Sequence, residues 1–454
     1  MATIEELRGR TTGQVITQDD SGYDEARAVY NAMIDKRPSV VVRATGVADV
    51  VAAVNHARES GLPIAVRGGG HSVPGFGTVD GGVVIDLALM REVTVDPSTK
   101  TAQAQGGATW NVFNDATHAH GLATTGGFVS TTGIGGLTLG GGIGYLARGV
   151  GLSCDNLVAA EVVTAEGDTV MATEDENGDL FWALRGGGGN FGVVTELRYR
   201  LHPVSDVYGG PMFFELADGP ALLRFFRDFM VDAPEELGMF PAFQIAPPLP
   251  FIPEDRHGDT FMAMVACWAG PPEVGEDVLR AVHDVAPVVA EHVGAAPYPA
   301  LNSAFDALYP AGLQHYWKTS FATELTDSAI DVHMQFGPKV PAVNSTMHIY
   351  ALNGAVQRVA ADATAYAYRD AMFATNIAGM WPDPADNEAN TAWVRDYHDA
   401  LAPHSERGGY VNFMSGDDHD RVEASYRGNY ERLVEIKRAY DPANLFRVNQ
   451  NIEP

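Results

Sequence analysis

Between residues 126 and 151 the chain carries eleven glycines in 26 positions, a density that few folds tolerate. Glycine loses more backbone freedom on folding than any other residue. A run this rich in it becomes ordered only where something lies close against the bare backbone. Smaller clusters stand at 68–70 and 186–189, also within the first 200 of the 454 residues. Glycine permits positive φ and close approach, and successive N–H groups can cradle a phosphate. Tight turns alone could explain 186–189, whereas the long run calls for a bound ligand.

The sequence around these clusters alternates short helices and strands. Val50, Val51, Val54 and Ala57 predict a helix over 48–60 that ends at Gly61. Strands are predicted at 63–66, 83–87, 92–95, 158–163 and 193–200. After Leu201-His202-Pro203 the glycine clusters cease and aromatics increase. Helices are expected at 219–230, 272–293 and 360–373, with strands at 260–268 and 346–352. The tail is expected to hold a strand at 410–413, a helix at 424–438 and a turn at 440–444. The fold class is therefore α+β. The expected domains are 1–205, 206–405 and a C-terminal segment, 406–454, too short to fold alone.

Composition narrows the function. With 58 acidic and 30 basic residues, the formal net charge of −28 disfavours nucleic acid and anionic membrane surfaces as partners. No apolar run approaches the roughly 20 residues of a membrane span. The charged start, MATIEELRGR, is unlike a secretory signal. Two cysteines, Cys154 and Cys267, make neither a disulfide framework nor a thiolate metal site, so a cytoplasmic setting is expected. His118 and His120 stand two residues apart, which on a helix turns them to different faces, and no metal is expected. No G-x-S-x-G hydrolase signature occurs. The segment 142–147, GIGYLA, formally fits a dinucleotide fingerprint but follows no strand, so a nicotinamide fold is not favoured.

Chemistry concentrates at Arg67-Gly68-Gly69-Gly70-His71-Ser72, where a buried strand runs into a glycine turn. An imidazole nitrogen held there can press on a planar ligand or form a covalent bond. Together with TTGIGGLTLGGGIGYLARGVGLSCDNL at 131–157, GDLFWALRGGGGNFGVVTE at 178–196 and YDPANLFRVNQNI at 440–452, this turn gives a specific pattern over nearly the whole chain. In it the sequence resembles the FAD-linked oxidases of the vanillyl-alcohol-oxidase superfamily, in the berberine-bridge-enzyme-like branch.

The resemblance implies a PCMH-type FAD-binding domain, a substrate domain with an antiparallel sheet backed by helices, and a tail that packs back on the first. It implies covalent FAD through His71. Val129 takes the place of a second linking cysteine found in many members, so a single link is expected. The FAD site would comprise Arg67, Gly68, Gly69, Gly70 and Ser72, with Gly127, Ser130, Thr131, Gly133, Gly135 and Gly136 from the glycine run. Gly140, Gly141, Gly142 and Gly144 would continue it. Asp155, Asn156, Asn190, Gly192, Val193 and Val194 would hold the ring edge and adenine ends, and Asn412 and Asn449 would close it from the tail. Cys154 reads as a buried small side chain or a residue near the flavin edge.

The implied reaction removes two electrons from a small organic CH–OH or CH–NH substrate, with O2 as acceptor and hydrogen peroxide as product. A dehydrogenase with another acceptor and a non-catalytic binder of a flat hydrophobic metabolite are the alternatives. Tyr410 is the expected base, paired with Asn412 on one strand face, or else a hydrophobic wall; His348 and Tyr350 are the next candidates. Oligomeric state is not legible.

Only five of the 30 basic residues are lysine, and with the acidic excess this points to adaptation to high salt, where self-repulsion is screened. The expected outcome is that activity and thermal midpoint rise from low salt to molar KCl. Maxima near zero salt would refute the halophilic reading.

Overall fold

Val40–Arg43, Ile64–Arg67 and Val83–Asp86 are short, mostly β-branched runs, as strands covered on both faces should be. In the computed structural model, which describes residues 3–454, the first two flank the third and run parallel to it. Gln14–Thr17 completes this four-stranded sheet. The crossover between parallel strands is the helix Val47–Ser60, which buries Val50, Ala53, Val54 and Ala57. It stops at Gly61, whose φ of 67° lets its N–H reach back to Ala57 and Arg58. The sheet thus delivers the glycine turn at 68–70 from the end of a fixed, buried strand.

A second, antiparallel sheet orders Val93–Asp96, Thr101–Gln105, Val193–Arg200, Leu157–Val163 and Thr169–Ala172. The C-terminal segment packs on its helices: Tyr426, Leu433, Ile436 and Ile452 share one core with Phe181, Trp182 and Leu184. At 440–446 the expected turn forms around an ion pair fully removed from water. Lys437 Nζ lies 2.7 Å from Asp441 Oδ2 and also donates to the carbonyls of Asn190 and Phe446. Asp441 in turn accepts from the N–H groups of Leu445 and Phe446.

The third sheet is antiparallel and follows the order Val288–Glu291, Asp206–Phe214, Thr260–Trp268, Leu237–Ile245, Thr346–Ala351, Phe373–Trp381, Gln314–Ala322. Gly294–Pro297 adds to Asp206–Phe214. Because side chains alternate along a strand, Met212, Met239, Phe243, Met264 and Ile349 face one way. They pack on the helices Gly219–Asp232, Asp327–Phe336 and Asn387–Leu401. The intervening residues, among them Phe213, Phe240, Ala242, Val265 and Tyr350, face back toward the glycine run.

Four expected elements differ. The helix over 272–293 is only Gly275–His283, followed by the strand Val288–Glu291. Pro287 cannot continue a helix, and Val288-Val289 favours a strand. No helix forms over 360–373. Its carbonyls are claimed by side chains instead: Trp182 binds Asp362 O, and Asn429 binds Ala361 O and Thr364 O. The tail helix is broken into Val422–Tyr426 and Tyr430–Tyr440 where Arg427 takes a φ of 48° before Gly428. Residues 410–413 form a turn, not a strand, closed by Phe413 N to Tyr410 O at 2.8 Å. Among the described residues, no helix is long and apolar enough to cross a membrane.

Asp441→Asn leaves the Lys437 ammonium buried without its counter-charge. It should cost about 3–5 kcal/mol in urea unfolding, whereas Asp179→Asn, which breaks an exposed pair with Arg432, should cost less than about 1 kcal/mol.

Candidate functional site

The attachment turn is built from behind. Arg67 does not face a ligand: its guanidinium lies 2.7 Å from Asp86 Oδ2 and donates to Ala28 O, which fixes the strand end. Gly69 then lies so close to Gly133 that a Cβ on either would overlap the other's backbone nitrogen. Gly70 turns the chain with a φ of 72°. His71 follows, stacked on Tyr30 with centroids 3.9 Å apart and planes 18° apart. Its Nε2 is 3.0 Å from Thr131 Oγ1 and its Nδ1 3.5 Å from Thr132 Oγ1. Burial without a carboxylate partner pulls its pKa down to about 4, so the imidazole is neutral at pH 7.

His71 opens onto a cavity of about 360 Å³ between the glycine run and the third sheet, within the roughly 300–1,000 Å³ range of ligand pockets. Of the expected cofactor residues, Gly68, Gly69, Gly70, Ser72, Gly127, Gly133, Gly135 and Gly136 line it. Asn190, Gly192, Val194, Asn412 and Asn449 line it as well. Asn190 and Asn449 join the tail to the third glycine cluster, through bonds to Gln450 O and Gly189 O.

The remaining expected residues lie behind the wall and support it. Ser130 binds Asp306 through both its N–H and its hydroxyl. Thr131 touches His71 but not the cavity. Gly140, Gly141, Gly142 and Gly144 admit close neighbours, respectively Asn412, Tyr366, Ser153 and the Gly126 carbonyl. Asp155 forms a bidentate pair with Arg369 at 2.7 and 2.8 Å. Asn156 binds Val150 O, Leu152 O and His202, and Val193 is buried in the sheet core. Cys154 is buried, and burial pushes its thiol pKa up; it is not on the wall. Val129 is.

Tyr410, the expected base, lies behind the cavity wall. Tyr410 Oη accepts from Gly142 N at 2.8 Å, Ile143 N at 3.2 Å and Asn412 Nδ2 at 2.9 Å. It braces the glycine run and is absent from the cavity wall. His348 and Tyr350 do face the cavity, joined Nδ1 to Oη at 2.6 Å. Tyr350 also stacks on Phe128, centroids 4.3 Å apart. Burial lowers the His348 pKa to about 3 and raises that of Tyr350, so the pair is neutral and shares one proton.

Tyr30, Gly188, Gly189, Gln244, Trp317 and Gln450 also line the site without being among the residues expected there. The adjacency of Gly188-Gly189 to Asn190 was a usable signal; for Tyr30, about 40 positions before His71 in the sequence, none existed.

The residues fit FAD. One half of the cavity is walled by bare glycine backbone that can meet a dinucleotide, the other by aromatics that can enclose a ring. Tyr426 Oη, Asn449 Oδ1 and Gln450 Nε2 belong to wall residues, are buried and have no partner within the protein. Such orphaned groups call for a polar ligand. Among the described residues no cluster of His, Cys, Asp or Glu could hold a metal.

Comparison with known proteins agrees. Residues 38–173 match the FAD binding domain family, and residues 409–453 match the family described as berberine and berberine like. An FAD-linked oxidoreductase of Dictyostelium discoideum is 32% identical over 94% of this chain and 91% of its own. The crystal structure of 6-hydroxy-D-nicotine oxidase from Arthrobacter nicotinovorans superposes with a TM-score of 0.86 at 26% identity, over 98% of both chains. A chitooligosaccharide oxidase structure does so at 0.85 and 25%, over 99% of both. The chain belongs to the FAD-linked oxidoreductases with a berberine-like C-terminal segment, and it is an FAD-dependent oxidoreductase.

Proposed function

We propose that the protein is an oxidase that removes two electrons from a CH–OH or CH–NH group of a small organic molecule and returns them to dioxygen as hydrogen peroxide. The observation that carries this reading is that His71 and the His348–Tyr350 pair open onto one cavity. FAD, when bound, supplies the electron acceptor. Residues 1–205 hold it, residues 206–405 present the substrate wall, and residues 406–454 close the cofactor side. Two free, buried cysteines suit a reducing, cytoplasmic setting.

His71 would hold the flavin covalently through its imidazole. Its neutral imidazole leaves a lone pair free for the bond, and Thr131 and the Tyr30 ring hold its orientation. Val129 occupies the wall without a thiol, so this is the single link. On the sheet side, the imidazole of His348 accepts the substrate's hydroxyl or amine proton while Tyr350 fixes the ring. Phe128, Phe240 and Phe413 exclude water around the pair.

Acid-precipitated protein should stay yellow, since only a covalent flavin survives unfolding, and absorbance of the washed pellet reads it. His71→Ala should give a colourless pellet and Val129→Ala a yellow one; a colourless wild-type pellet defeats the covalent link.

Stopped-flow flavin reduction tests the base. His348→Gln and Tyr350→Phe should slow it by roughly 10²–10⁴ and Tyr410→Phe by less than about tenfold. The reverse ranking would restore Tyr410 as the base.

A further inference from the structure

Between the strands Leu237–Ile245 and Thr260–Trp268 the chain runs through APPLPFIP at 246–253, with prolines at 247, 248, 250 and 253. Each proline fixes its own φ, so the segment is stiff. It lies over the site: Pro247, Leu249 and Phe251 are part of the cavity wall.

This part of the wall is held differently from the rest. The neighbouring strands are tied into the sheet by continuous ladders. The segment's backbone is fastened at its base, by Ala246 N to Asp259 O at 2.8 Å and Gly258 N to Ala246 O at 3.0 Å, where Gly258 turns with a φ of 89°. Farther out, the N–H groups of Leu249, Ile252, Arg256 and His257 find their acceptors inside the segment. Among the described residues, its one hydrogen-bonded tie to another element is the partly exposed pair of Arg256 with Glu215, a contact that contributes little. The tip rests on side chains. Ile252 is buried, and Phe251 lies 6.2 Å from the Phe213 ring and stacks on the exposed His292 ring at 5.3 Å and 19°. A stiff arm with a short base and no hydrogen bonds at its tip belongs to the elements that open locally at low cost.

We propose that residues 247–257 are a flap over the sheet side of the cavity, hinged at Ala246 and Gly258, and that Leu249 and Phe251 at its tip control what reaches the flavin. Shut, as in this structure, the tip completes the apolar wall. Open, it leaves a gap whose width those two side chains set. The prolines make the arm move as one piece, so molecules are selected by size at entry, before they touch the reacting groups.

Anaerobic stopped-flow reduction of the flavin-loaded enzyme by dithionite, read as loss of the flavin band, needs no substrate and decides the matter. Leu249→Ala and Phe251→Ala should each speed reduction at least fivefold. The double variant Phe251→Cys/His292→Cys, with its two thiols bridged by dibromobimane, should be reduced at least fivefold more slowly than the same protein unbridged. Cys154 and Cys267 are buried and do not compete for the reagent. Smaller effects in both truncations overturn the tip's control of access. Fast truncations with no effect of the bridge mean a fixed plug and overturn the flap. Either result leaves the oxidase reading standing, since dithionite bypasses both substrate and dioxygen.

Discussion

The contact between Gly69 and Gly133 sets the geometry of the whole site. Two backbones meet there at a separation that no Cβ on either side could occupy. One belongs to the turn leaving the buried parallel sheet, the other to the start of the helix Ile134–Leu139 in the long glycine run. Because they touch, His71 is carried past the run to stack on Tyr30, and its ring lies beside Thr131 and Thr132. An alanine at either position would force the two segments apart and move the imidazole with them. The entropy lost in ordering so many glycines is thereby tied to a single outcome, the placement of one histidine on the wall of one cavity.

Legibility in the sequence followed how many environments each segment answers to. The helix Val47–Ser60 and the strands Val83–Asp86, Leu157–Val163 and Val193–Arg200 answer to one, a core face, and their periodicity or apolar run places them within a residue or two. The substrate sheet was harder. In Leu237–Ile245 and Phe373–Trp381 nearly every residue is buried on both faces, one against helices and one against the cavity. No alternation of polar and apolar residues marks which face is which. The glycine turn, His71 and the tail asparagines were legible as a pattern, whereas Tyr410 was misplaced by reading a turn as a strand. Its hydroxyl is spent on the N–H groups of Gly142 and Ile143, a long-range partnership that no local signal announces.

Charge is sorted with equal strictness. The acidic excess stands outside, and most of the ionic groups that are buried are paired or hydrogen-bonded within the protein. Arg148 shows the extreme form. It has no carboxylate within salt-bridge distance, yet donates to the carbonyls of Met230, Ala233, Pro234 and Leu237 and to Asn353 Oδ1. A buried cation without such satisfaction would cost several kcal/mol. Lys318 is held between Asp417 and Asp418, and Arg369 sits on Asp155. With these buried charges so committed, the cavity wall carries aromatic rings, bare backbone and uncharged polar side chains.

These same buried groups fix the distance between the cavity's two walls. Arg148 extends from the end of the glycine run into carbonyls at the end of the helix Gly219–Asp232 and the start of the strand Leu237–Ile245. At the other end, Asn31 donates to Val73 O, two residues past His71, and exchanges two hydrogen bonds with the backbone of His315 in the sheet. Tyr30 N and Gly70 O close the same joint, as do Ala32 N and Leu313 O. The cofactor wall and the substrate wall are therefore braced on both flanks by bonds that need no ligand to form. Transfer between a bound ring and a substrate carbon requires the two within about half an ångström of their productive spacing. A site braced in this way holds its walls at one spacing before any ligand arrives, so binding energy is not consumed in closing it.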